Sequence, residues 1–166
     1  VPLGAPMDPV IAAWRAAGIT HALSIERCGK AADGRPRNLR GEDIGGHTAP
    51  LDDLFLAGPW TRLAIGDGGN EMGMGALPRA LIAADIANGE AIACATPADH
   101  LIVAGVSNWG AWAILAALCV LRPDWRPHLL PSLDAALDRH VLETLVREGP
   151  AVDGISRDRT LTVDNH

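Results

Sequence analysis

The sequence predicts an α/β fold, with a mostly parallel sheet flanked by helices and a ligand site at the carboxyl ends of the strands. Three observations support this prediction. Strand-like and helix-like segments alternate along the chain. Residues 101–106 form an unbroken apolar run, which is typical of a central parallel strand covered on both faces. Polar or glycine-rich residues follow the predicted strands, and the carboxyl ends of parallel strands share one edge of a sheet.

The individual elements are predicted from turn and capping residues. Asp8 can cap a helix that begins at Pro9 and stops at Gly18. Residues 20–26 alternate in polarity as a strand does, and a long polar connection over residues 27–48 follows. The other predicted elements are a helix at 51–55, a strand at 62–65, a helix from Pro78 closed by Asn88-Gly89, a strand at 101–106, a buried helix at 109–121, and a last helix capped by Ser132 and ended by Gly149-Pro150, with Leu133, Leu137, Val141 and Leu145 on its inner face.

Composition excludes several classes of protein. The 166 residues are 48% hydrophobic and 20% charged, enough apolar material for one globular domain over residues 1–166. Lys and Arg number 14 against 20 Asp and Glu, a net charge of −6, which disfavours nucleic acid and anionic membranes as partners. The most apolar stretch, 111–121, is shorter than the roughly 20 residues that span a bilayer. Lys30 is the only lysine, so a Schiff-base enzyme would have to use it.

The three cysteines, Cys28, Cys94 and Cys119, have no Cys-x-x-Cys spacing. They are interpreted as reduced thiols in a cytoplasmic compartment, or in the mitochondrial matrix if the source is a eukaryote.

The strongest candidate motif is the glycine-rich loop, defined as residues 66–75. Half of its residues are glycine, so backbone N–H groups can approach a ligand closely. Asp67, Asn70 and Glu71 are interspersed with the glycines at the end of a predicted strand. The alternative is a flexible turn with solvated acids, but a turn needs one or two glycines only.

Two further groups follow predicted strands. Glu26 ends the predicted strand and Arg27 opens the long polar connection. A carboxylate and a guanidinium group there could take part in acid–base chemistry and bind a carboxylate, or could form a plain surface ion pair. Ser107 and Asn108 precede a predicted helix, where they would cap it or help to bind an anion. Among the histidines, His47 in the polar connection, near Asp43, is the one candidate for a functional role.

Three segments together resemble the D-glutamate cyclase family. They are Ser24-Ile25-Glu26-Arg27 with Ala32-Asp33-Gly34 and Asn38-Leu39-Arg40-Gly41, then the whole glycine-rich loop, then Ala104-Gly105-Val106-Ser107-Asn108-Trp109-Gly110. The resemblance implies a hydro-lyase that closes D-glutamate to 5-oxo-D-proline with loss of water. It also implies a further segment upstream of Val1 in relatives, so that this chain resembles the carboxyl-terminal half of the catalytic unit.

Lactam formation requires the α-ammonium group to lose a proton and the γ-carboxylate to lose its negative charge. Glu26 or Asp33 is the expected base. Backbone N–H groups of the glycine-rich loop, or Mg²⁺ or Mn²⁺ held by Asp67 and Glu71, would stabilise the oxyanion. Arg27 or Arg40 would bind a substrate carboxylate. The other expected substrate contacts are Asn38, Gly68, Gly69, Asn70, Ser107 and Asn108.

Two alternatives remain open from sequence. A binding module would hold an amino acid or lactam without turning it over, and a fragment would need a missing partner segment to complete its site. A homo-oligomer, or association with that upstream segment, is compatible with either.

Overall fold

The computed structural model describes residues 3–163 and confirms the predicted α/β class: three parallel strands form a sheet in the order β1-β2-β3. The strands are β1 (His21–Ile25), β2 (Thr61–Gly66) and β3 (His100–Val103). The helices are α1 (Asp8–Ala16), α2 (Leu51–Ala57), α3 (Arg79–Asp85), α4 (Gly89–Ile92), α5 (Ser107–Leu121), α6 (Arg126–Leu129) and α7 (Ala135–Glu148), with a 3₁₀ turn at Leu130–Ser132.

The chain divides into two compact units, Val1–Ser107 and Asn108–His166. The first unit holds the sheet and α1 to α4. The second holds α6, α7 and all of α5 except its first residue, Ser107.

The strand register aligns the carboxyl ends of the three strands. Ile25 pairs with Ile65, and Ile65 pairs with Ile102. The segments that leave β1, β2 and β3 therefore begin at the same edge of the sheet, which is where ligands bind in parallel α/β folds.

One face of the sheet carries the main core of the first unit. Ala22 and Ala64 pack there with Phe55 and Trp60, and partly buried side chains of α1 complete the cluster. Trp60 lies edge-on to Trp14, with ring centroids 5.3 Å apart. A second cluster joins the glycine-rich loop to α3 and to the residues that follow α4, through Met74, Ile82, Ala93 and Cys94.

Within the described residues β2, and not β3, is the central strand, so the prediction for residues 101–106 is wrong. β3 ends at Val103, whose side chain is 56% exposed. An apolar run shows that a strand is hydrophobic, but it does not show how many neighbours the strand has.

Two boundaries in the first unit also differ from prediction. Asp8 is the first residue of α1 and makes no side-chain cap. The helix that starts after Pro78 stops at Asp85, and Asn88, at φ 59°, precedes the separate helix α4. The left-handed conformation that Asn tolerates is used here at the start of a helix, not at the end of one.

In the second unit the apolar helices are less buried than predicted. Cys119 of α5 is buried, but Val120 and Leu121 are 69% and 73% exposed. Asp134, not Ser132, caps α7, since its side chain accepts the Ala136 N–H at 2.8 Å. The predicted inner residues Leu137, Val141 and Leu145 are about half exposed. Periodicity determines which side chains share a helix face, but not whether another element covers that face.

No helix within residues 3–163 combines the length and apolar character that crossing a bilayer requires.

Candidate functional site

Three carboxylates lie together at the carboxyl edge of the sheet. Glu26, Asp67 and Glu71 each offer one oxygen, and these oxygens all lie within 4.8 Å of one another. Glu26 follows β1 directly and Asp67 follows β2, so the parallel register accounts for their proximity. Glu71 reaches the same place from the glycine-rich loop. The structure thus brings Glu26 and both acids of the loop into one group, called the acid cluster below.

Ser107 connects two members of the acid cluster. Its hydroxyl donates to Glu26 Oε2 at 2.5 Å, and its backbone N–H donates to Asp67 Oδ2 at 3.1 Å. The residue is 2% exposed and is the first residue of α5. Its two donors therefore fix the positions of carboxylates that come from different strands.

Glu26 has an unusual backbone conformation. Its φ is 51°, in the left-handed region that non-glycine residues adopt rarely and at a cost of about 1–3 kcal/mol. Its N–H still donates to Ile65 O at 3.1 Å, so the ladder between β1 and β2 continues to this residue. The chain leaves the sheet at the residue that carries the carboxylate, and backbone strain of this kind is concentrated at functional sites.

Glu71 is the buried member of the acid cluster, at 3% exposure. Its Oε1 accepts the Gly68 N–H at 2.9 Å, whereas Oε2 is buried and has no hydrogen-bond partner within the described part of the chain. Burial raises the pKa of the Glu71 carboxyl group, and the negative charge of Asp67 raises it further. Glu71 therefore keeps its proton to a higher pH than an ordinary glutamate.

The glycines of the loop allow it to pass close to its neighbours. A Cβ atom on Gly66 or on Gly68 would lie 3.0 Å from a carboxylate oxygen of Glu71. Gly73 has φ +103°, and a Cβ there would lie 2.1 Å from the Ala64 Cβ on β2. Only glycine fits these positions without displacing the carboxylate or the strand.

Backbone contacts hold the glycine-rich loop against the polar connection over residues 27–48, called the first polar loop below. Gly29 N–H donates to Asn70 O at 2.9 Å, and Met72 N–H donates to Arg27 O at 2.7 Å. The side-chain amide of Asn70 donates to Arg37 O at 2.8 Å. Asn70, predicted to contact substrate, thus uses its amide to join the two loops.

Four other predicted residues lie outside the acid cluster. Asp33 is paired with Arg37 at 2.6 Å, and this hydrogen bond holds the pKa of Asp33 below its usual range. Arg27 Nη2 donates to Ala49 O at 2.9 Å. Asn38 closes a local turn with Glu42, and Arg40 is exposed.

Asn108 is exposed and belongs to the second unit. The amide hydrogens of Gly68 and Gly69 hydrogen bond to Glu71, so they stabilise an internal carboxylate.

Arg27 and His47 line a separate cavity of about 660 Å³ whose wall includes residues of β1. Its walls are mostly apolar and include Trp14, Leu23 and Phe55.

Sequence reasoning missed the buried Asp52. Its Oδ1 accepts the Lys30 N–H at 2.9 Å and the Thr96 hydroxyl at 2.5 Å. It therefore joins α2, the first polar loop and the segment before β3. The available signal was an acid next to Leu51 in a predicted helix, which is easily interpreted as a favourable first-turn charge.

The thiols of Cys28 and Cys94 lie near the two loops, and their surroundings make them poor nucleophiles. Burial raises the pKa of Cys28 to about 11 and that of Cys94 to about 12. Both remain protonated at neutral pH, and only the thiolate is nucleophilic.

Comparison with known proteins gives two matches. Residues 7–166 match a family model described as "D-glutamate cyclase-like, C-terminal". Over 105 residues, 61% of this chain, the sequence is 45% identical to a human protein named "D-glutamate cyclase, mitochondrial". The matched part is 17% of the human protein's length.

Proposed function

The chain belongs to the D-glutamate cyclase-like, C-terminal family, and on that premise we propose that its acid cluster closes D-glutamate to 5-oxo-D-proline. In this reaction the α-nitrogen forms a bond to the γ-carboxyl carbon, one C–O bond of that carboxyl group breaks, and water leaves. The observation that carries the proposal is the convergence of Glu26, Asp67 and Glu71 within 4.8 Å at the ligand-binding edge of the sheet.

The first requirement of the reaction is a base for the α-ammonium group. Glu26 is the better candidate of the two predicted bases, because it lies in the acid cluster, whereas Asp33 is engaged by Arg37 and its lowered pKa makes it a weaker base. Ser107 orients the Glu26 carboxylate through its hydroxyl. Carboxylates also attract the ammonium group, which orients the substrate nitrogen toward the base.

The second requirement is a proton for the departing oxygen. Glu71 suits this role, since its raised pKa favours the protonated acid. Two neighbouring carboxyl groups with different environments divide acid and base roles between them. Asp67 adds to that division by opposing ionisation of Glu71.

Incubation of the chain with D-glutamate or L-glutamate, followed by ¹H NMR, tests the proposal. We expect 5-oxoproline from the D isomer, and we expect Glu26→Gln, Asp67→Asn and Glu71→Gln each to lower its rate by about 10²–10⁴-fold. Wild-type rates in all three variants would overturn the assignment.

A binding module remains the second candidate, because the chain matches only 17% of the human relative's length. If D-glutamate raises the melting temperature of the chain but no 5-oxoproline forms, the acid cluster binds the amino acid without turnover in this chain. Adding the remaining part of a longer family member then tests whether further residues complete the site.

A further inference from the structure

We propose that Glu26, Asp67 and Glu71 together bind one divalent cation of the oxygen-preferring class, Mg²⁺ or Mn²⁺. The inference rests on the proposed function, because the cation would occupy the same acid cluster, and it adds Glu26 as a third ligand to the pair expected from sequence. With a cation bound, Glu71 would be an ionised ligand, so the cation would replace the Glu71 proton in neutralising the γ-carboxyl group. Three observations carry it: the spacing of the oxygens, an unsatisfied buried oxygen, and the charge of the site.

The spacing fits one cation. Oxygens bind Mg²⁺ at about 2.0–2.1 Å, so two ligands of one ion are at most about 4.2 Å apart. The three carboxylate oxygens all lie within 4.8 Å of one another, so a closing movement of about 0.6 Å or less brings them within that limit. All three ligands are carboxylates, which suits hard cations better than zinc.

Glu71 supplies the independent observation. Its side chain is almost fully buried, and Oε2 has no hydrogen-bond partner among residues 3–163. Buried polar atoms are nearly always satisfied, and an ion is one of the few explanations of an exception. Since Oε1 already accepts the Gly68 N–H, Oε2 is the oxygen with unused capacity, and it lies beside Gly66 at the end of β2.

The chemistry of the substrate points the same way. Glutamate has two carboxylates and one ammonium group, so it would bring net negative charge to a site that already holds three acids. A divalent cation removes this repulsion and would polarise the γ-carboxyl group for attack.

Ser107 is the positioning residue of the proposed site. Its hydroxyl and N–H hold Glu26 and Asp67, as the hydrogen-bond partners of metal ligands do in general. Loss of such a partner lowers metal affinity by about 10–100-fold.

Titration of the full chain with Mn²⁺, followed by electron paramagnetic resonance of the free ion, tests the inference without reference to catalysis. We expect one saturable site, competition by Mg²⁺, and a loss of affinity of at least about tenfold in Glu26→Gln, Asp67→Asn, Glu71→Gln and Ser107→Ala. Circular dichroism confirms that each variant is folded.

Asp99→Asn is the charge-matched control. Asp99 N–H donates to Arg62 O near the start of β2, about 16 Å along the strand from Asp67. Its Mn²⁺ affinity should equal that of the wild type. No saturable binding, or equal affinity in the wild type and the three acid-cluster variants, would overturn the inference.

The failure of the inference and that of the proposed function have different signatures. Cyclisation that survives exhaustive chelation, without Mn²⁺ binding, rejects the cation and keeps the cyclase. Tight Mn²⁺ binding at the acid cluster without any 5-oxoproline rejects the reaction and keeps the cation.

Discussion

The hydroxyl of Ser107 donates to Glu26 Oε2 at 2.5 Å, across 81 residues of sequence. This contact joins the residue that directly follows β1 to the residue that begins α5. It implies that the proposed base, Glu26, and its orienting donor, Ser107, act as a pair, and a comparison of two variants can separate their effects.

We expect Glu26→Gln to lower D-glutamate cyclisation by about 10²–10⁴-fold, because it removes the base. Ser107→Ala should reduce the rate less and shift the pH profile of kcat, because the carboxylate remains but loses a hydrogen bond that favours its ionised form. Initial rates against pH measure both effects. Equal rate losses in the two variants with unchanged pH profiles would contradict the assignment.

Glu71 should make the protein less stable as the pH rises. Its pKa is raised in the folded state, so between the ordinary value of 4.5 and the folded value the native protein binds more protons than the unfolded chain. Stability is therefore highest below that interval and falls as the pH rises through the folded pKa.

Glu71→Gln should abolish this fall. Urea unfolding from about pH 4 to about pH 8, in the presence of a chelator, measures it. If the unfolding free energies of the wild type and the variant changed in parallel with pH, burial would not be raising the pKa of the Glu71 carboxyl group.

Gly73→Ala should destabilise the fold by more than the cost of its backbone conformation, which is about 1–3 kcal/mol. The residue has a positive φ, and the new Cβ would also overlap the Ala64 Cβ. Gly34→Ala is the matched control, since Gly34 has φ +80° with nothing within 4 Å of a Cβ. If chemical denaturation gave the same loss of unfolding free energy for Gly73→Ala and Gly34→Ala, the loop would be moving away from β2 at no further cost in stability.

The ion pair between Arg62 and Asp99 should contribute to stability only above strongly acidic pH. Hydrogen bonds from Arg62 lower the pKa of Asp99 from 3.8 to about 2. The stabilisation is thus complete above the unfolded value of 3.8 and is lost as the pH falls through about 2.

Replacing Arg62 by a neutral residue should reveal the pH range over which this ion pair stabilises the fold. Arg62→Gln should unfold at lower urea concentration than the wild type at neutral pH, and the difference should shrink as the solution is acidified toward about pH 2. A difference that does not depend on pH would show that Arg62 acts by packing instead.

The sequence predicted the site best where polar or acidic residues directly follow a predicted strand. Glu26 after β1, the glycine-rich loop after β2 and Ser107 at the start of α5 were all singled out from the sequence, because parallel strands must deliver their carboxyl ends to one edge. The predicted grouping of Glu26, Asp67, Glu71 and Ser107 is present in the structure. Their catalytic roles stay predictions.

The partners of individual polar side chains could not be predicted from the sequence. Nothing local to Asp33 shows that Arg37 will pair with it, and nothing local to Asp52 shows that Thr96 will lie beside it. The predictions that α5 and the inner face of α7 are buried were wrong for a related reason. Hydrophobic periodicity describes an element, whereas burial depends on its neighbours.

The order in which the site residues occur along the chain has a consequence for its synthesis. Gly73 and Gly75 both donate backbone hydrogen bonds to Thr96, and Glu26 and Asp67 both depend on Ser107. A nascent chain that has emerged only as far as the glycine-rich loop therefore lacks the contacts that fix both loops. We expect the acid cluster to acquire its full set of contacts only after Ser107 has left the ribosome.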